Sequence, residues 1–61
     1  SMKIGDLIKH KKVGRTGMIV DIFTFDHRWE KYAKVLFSGE LTTSTAPLKI
    51  LKENWEVISE I

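Results

Sequence analysis

A chain of 61 residues has room for one domain, and a domain of that size hides only about 60% of the surface its unfolded chain exposes. There is no cysteine, so neither a disulfide nor a thiolate zinc site can support the fold, and stability must come from the 43% hydrophobic residues. The net charge of +2 is small but uneven: Lys3, Lys9, Lys11, Lys12 and Arg15 face one acid, Asp6, near the start, while Glu53, Glu56 and Glu60 have no base among them.

No apolar run approaches the roughly 18 residues of a membrane span, and no charged-then-apolar leader opens the chain. A cytoplasmic protein with no membrane partner is the expectation. Ser1 ahead of Met2 reads as a tag remnant, which gives a single domain over residues 2–61.

Periodicity along the chain is mostly two, the mark of strands. "DLIKH" is a short strand with Ile8 pointing inward, and "KKVGR" is a polar loop. "TGMIVDIFT" alternates over nine residues, setting Met18, Val20 and Ile22 on one face and Ile19, Asp21 and Phe23 on the other. "FDHRWEKY" breaks the pattern as a charged, aromatic loop. "YAKVLF" restores it, with Ala33, Val35 and Phe37 opposite Tyr32, Lys34 and Leu36. "SGE" is a tight turn around Gly39, "LTTST" is the partner strand, and Pro47 ends that strand because it cannot donate to a ladder.

The last segment is read as one short 3₁₀ turn from Pro47 to about Ile50, a turn at Lys52–Asn54, and a final strand from about Trp55 to Ile58. The helical spacing of Leu48, Leu51, Trp55 and Ile58 leaves a C-terminal helix as the alternative. The fold class expected is all-β: a single small five-stranded antiparallel barrel with a 3₁₀ turn before the last strand. Ile8, Val20, Ile22, Val35, Phe37 and Val57 fill its interior and leave no cavity. Gly14 and Gly17 flank the turn into the longest strand, where a curled sheet needs an unusual φ or a close approach of backbones.

"GDLIKHKKVGRTGMIVDI" (Gly5 to Ile22) resembles the opening of SH3-like barrels of the KOW and Tudor-like kind, with Gly-Asp before a strand and Gly-x-x-Gly before an apolar one. "KVLFSGELTTSTAPLKILKENWEVI" is similar to their second half, where a strand ends in an aromatic, a glycine turn follows and a Trp-Glu-Val-Ile strand closes the barrel. Small bacteriophage-encoded proteins and bacterial regulatory domains share this pattern, which for a phage protein implies the host cytoplasm or the virion. SH3-like barrels serve many unrelated roles, so the resemblance speaks to fold.

Catalysis is not expected. His10 and His27 lie at loop edges, and Asp26-His27 are neighbours whose side chains diverge on an extended chain. There is no Gly-x-Ser-x-Gly element, "VGRTG" lacks the Gly-Lys-Ser/Thr of a phosphate loop, and no ligand pair has zinc spacing. No cofactor, metal or small-molecule substrate is implied.

Binding surfaces remain. The first expectation is a protein-interaction or assembly module, self-association included, that uses Phe25, His27, Arg28, Trp29 and Tyr32 of the middle loop or an unpaired sheet edge. The second is nucleic-acid binding, with Lys9, Lys11, Lys12, Arg15, Arg28 and Lys34 on phosphates and Trp29 stacking on bases. A third is a methyl-lysine cage, which needs several rings to converge beside an acid such as Asp26. Phe23 and Trp55 are read as structural rings.

Overall fold

A computed structural model describes residues 1–25 and 29–59. The elements are β1 (Leu7–His10), β2 (Thr16–Thr24), β3 (Lys31–Phe37), β4 (Ser44–Pro47), α1 (Leu48–Asn54) and β5 (Trp55–Ser59). All strand pairs are antiparallel, and the five strands form one sheet in the order β4-β3-β2-β1-β5. The two edges, β4 and β5, are not hydrogen-bonded to each other; α1 packs against both and against β3.

The first turn is built from Lys3-Ile4-Gly5-Asp6. The Asp6 amide donates to the Lys3 carbonyl at 3.1 Å, and Gly5 takes φ +96°, as the third residue of a type II turn requires. Asp6 is fully buried. Its carboxylate accepts the Lys3 amide at 2.9 Å and pairs with the Lys3 ammonium at 3.3 Å, so the charge enters the interior with both a dipole and a cation attached. On the backbone side, Gly5 donates to the Ile19 carbonyl and Ile19 donates to the Asp6 carbonyl, which ties this turn to the middle of β2.

β2 departs from the alternation expected of it. Its register against β3 runs Ile19↔Val35 and then Asp21↔Lys34, leaving Val20 as an extra residue in a β-bulge. The bulge shifts the inward set by one. Gly17 and Ile19 face the interior before it, and Ile22 packs on the core after it, whereas Met18 and Val20 are 40% and 37% exposed. Val20 is therefore not a core residue, and Ile19 is.

The buried apolar set is Ile8, Ile19, Ala33, Val35, Leu48 and Leu51, with Met2, Ile22, Phe37, Ala46, Trp55 and Val57 packed around it. Each fully buried Ile or Val contributes on the order of 1.5–3 kcal/mol, so this short list carries most of the fold.

Gly17 is placed here by close approach. A Cβ on it would sit 2.9 Å from Phe37 Cδ1 and 3.0 Å from Val35 Cγ1. Gly14, by contrast, turns the β1–β2 loop at φ +73°. The two glycines thus meet different demands.

Two further expectations are corrected. The partner strand begins at Ser44 rather than Leu41, and Leu41 is 99% exposed. After Phe37 the chain leans toward β2: the Ser38 amide donates to the Thr16 carbonyl, the Thr16 and Ser38 hydroxyls bond, and Arg15 pairs with Glu40. It returns to β3 only at Ser44, opposite Val35.

In place of a 3₁₀ turn, Leu48–Asn54 is an α-helix, and the expected turn at Lys52–Asn54 is its last turn. Two helical turns are marginal alone. This one is held by burying Leu48 and Leu51 and by Lys11, whose amide and ammonium donate to the Asn54 and Glu53 carbonyls at 2.9 and 3.1 Å. The final strand follows at once, as expected.

In urea denaturation, Ile19→Ala is expected to cost about 2–4 kcal/mol and Val20→Ala less than about 1 kcal/mol. Equal costs, or the reverse order, would remove the bulge. Gly17→Ala is expected to destabilise by about 1–3 kcal/mol through the overlap with Phe37 and Val35, and a neutral Gly17→Ala would mean that the sheet is looser there.

Candidate functional site

A sheet with one short helix can cover only one of its faces. Yet β2 and β3 are apolar on both: Ile19 and Val35 point in, and Met18 and Leu36 point out. The cross-strand pairs Leu7↔Met18 and Met18↔Leu36 place three apolar side chains in one row over β1, β2 and β3. In β5, the register passes from Leu7↔Ser59 to Ile8↔Val57, so Ile58 is an extra residue beside Leu7 and extends the row to a fourth strand. Leu7, Met18, Leu36 and Ile58 are between 37% and 51% exposed, and together they line a groove of about 420 Å³ that runs up to the Gly39–Glu40 turn. Single exposed apolar residues are ordinary, but a contiguous row across four strands is the arrangement found where another surface docks.

Farther along the same face lie the rings. Phe23 pairs with Tyr32 across β2 and β3, and their rings stack at 6.1 Å between centroids. Phe25 meets Phe23 edge-on at 5.5 Å and Tyr32 at 5.0 Å. The Lys34 ammonium lies 5.8 Å from the Phe23 ring, within cation–π reach, and the Tyr32 hydroxyl donates to Glu30 at 2.9 Å. Phe23 is thus a member of the outer cluster rather than of the core; Trp55 is the structural ring, packed on the core and against His10 and Phe37. The three outer rings pack against one another.

The middle-loop set expected from the sequence divides. Phe25 and Tyr32 come together, with Phe23 added. Trp29 is 98% exposed, makes no ring contact with them, and stands instead on the rim of a groove beside α1. His27 and Arg28, with Asp26, lie outside the described residues.

The basic loop is largely committed to the fold. Lys11 holds the end of α1. Arg15 is bonded to Glu40 at 2.9 Å and its guanidinium lies 4.3 Å from the Phe37 ring centroid. His10 Nδ1 accepts the Lys12 and Val13 amides at 3.1 and 3.3 Å, a local turn device in place of a ligand site. Lys9 stands opposite Glu56 in the β1–β5 register, and Lys34 sits with the rings, away from this loop. The ammoniums of Lys9 and Lys12 have no hydrogen-bond or ion-pair partner among the described residues. Of the cations expected on one phosphate surface, Lys11 and Arg15 are therefore already bonded within the chain, and Lys34 lies with the rings.

The sheet edges offer little more. β4 has four residues and ends in Pro47, which blunts a pairing edge. Among the described residues, no group of three or more His, Cys, Asp or Glu side chains is placed to hold a metal ion. No described helix is long and apolar enough to cross a membrane.

Compared with family models, with curated proteins and with solved structures, the chain has no match.

Iodide quenching of tryptophan emission checks the placement of the two indoles. Trp29→Phe should remove most of the quenchable signal and leave the emission of Trp55, with no change in the far-ultraviolet circular dichroism. Loss of fold on that substitution would put Trp29 in the interior.

Proposed function

We propose that this protein is a non-catalytic binding module that engages a protein partner, or a second copy of itself, through the outer face of its sheet. One observation carries this reading: Ile58, Leu7, Met18 and Leu36 make a continuous apolar row across four strands that the fold does not cover. Water-facing apolar area of this continuity gains free energy when another surface excludes the water. The Phe23–Phe25–Tyr32 cluster on the same face adds large rings, the side chains that most often anchor protein interfaces. Nucleic-acid binding through residues 9–15 is disfavoured because Lys11 and Arg15 are already bonded within the chain. The mutual packing of the three rings counts against a methyl-lysine cage.

The same proposal includes the fold relationship. Strand order β4-β3-β2-β1-β5 with a helix directly before the last strand fits an SH3-like, KOW- or Tudor-like barrel that is partly closed by α1 between its edges.

Met18→Thr with Leu36→Thr places strand-favouring β-branched residues at both positions while removing the centre of the row. The double variant should stay folded and lose either the wild-type partner in quantitative affinity purification or the wild-type self-association in sedimentation. Unchanged behaviour in both measurements would discard the outer face as the working surface.

A further inference from the structure

A second surface lies beside the helix, away from the apolar row. Its groove, of about 680 Å³, is bounded by Trp29, Glu30 and Lys31 where the middle loop enters β3, and by Leu48, Lys49, Lys52 and Glu53 of α1. Lys49 and Lys52 are three residues apart and so share one side of the helix. Leu48, 7% exposed, is an apolar floor, and Trp29, 98% exposed, is a wall with its ring open to solvent. Among the described residues, Lys31, Lys49 and Lys52 form no ion pair, in contrast to Lys3, Lys11 and Arg15, whose charged groups all have partners within the chain. Of the two carboxylates on the rim, Glu30 already accepts the Tyr32 hydroxyl.

We infer that the groove formed by Trp29, Lys31, Leu48, Lys49 and Lys52 is a binding site for single-stranded nucleic acid. Three uncommitted ammoniums supply point charges for phosphates, and an open indole supplies a stacking platform for a base. Both are needed to tell the class of ligand. A bare acidic peptide would use the lysines and leave the indole idle, and a duplex keeps its bases stacked on each other, out of reach of one ring. The interaction is expected to be sequence-tolerant, because every base has a π-face on which the indole can stack.

The test uses the whole chain and a single-stranded oligothymidylate at low salt, read by quenching of Trp29 emission and by fluorescence anisotropy of the labelled oligonucleotide. Binding should weaken with salt along a log–log slope of about −2, as expected for three cation–phosphate contacts on a single strand. Trp29→Ala should weaken binding by about tenfold. Lys49→Glu with Lys52→Glu should abolish it and flatten any residual slope. Met18→Thr with Leu36→Thr should bind normally, which separates this site from the outer face. Circular dichroism confirms that each variant is folded. Three results would overturn the inference: no binding at low salt; binding indifferent to the Trp29 and helix-lysine changes but lost with Lys11→Glu and Lys12→Glu; or polyglutamate competing as well as the oligonucleotide, which would make the groove an acidic-protein site.

Discussion

The bulge at Val20 is the constraint on which the remaining structure depends. Without it, strict alternation along β2 would send Ile19 and Ile22 to opposite faces. With it, both contribute to one interior, together with Val35 and Ala33 across the ladder. A bulge also increases the local twist of a strand. A nine-residue strand that bends in the middle can serve β1 at one end and β3 along its length, which lets five short strands and seven helical residues enclose a shared core.

Around that bend the fold ties its loose parts down with a few long-range contacts. Both backbone groups of Ile19 are bonded to the Gly5–Asp6 turn, so the start of the chain is fastened next to the bulge. Asp6 can be buried there because Lys3 supplies an amide and an ammonium, the conditions under which an interior carboxylate is tolerated. At the other end of β1, Lys11 bonds the last carbonyls of α1, and Arg15 bridges to Glu40 in the next hairpin. The exposed pairs are each weak, yet they settle which cations are free for other work.

Shifting the inward set also defines the outside. Once Gly17, Ile19 and Ile22 are inside, Met18, Asp21 and Phe23 are outside, and each meets an outward residue of β3: Leu36, Lys34 and Tyr32. The apolar row, the Lys34 cation and the ring cluster are thus consecutive rungs of one ladder. The helix, docked by Leu48 and Leu51 between the two sheet edges, carries Lys49 and Lys52 to a different side, where Trp29 stands. Two chemically distinct surfaces result, one apolar and aromatic, one cationic with a single open ring.

Much of this was legible in the chain. Alternation marked β1, β2 and β3 and the closing strand; glycines at 14 and 39 marked turns; and the polarity around Phe25 and Trp29 marked them as outward. These are local properties, set by the period of a strand and by the φ a turn demands. What tertiary structure alone decided is which of two apolar faces is covered, because period two groups residues by side without saying which side has a partner. The same holds for the helix, whose two turns exist through burial of Leu48 and Leu51 and bonds from Lys11, some forty residues earlier. It holds too for the bonding of Lys11 and Arg15 within the chain and for the meeting of Trp29 with Lys49 and Lys52. These outcomes rest on contacts between segments distant along the chain, and no local pattern records them.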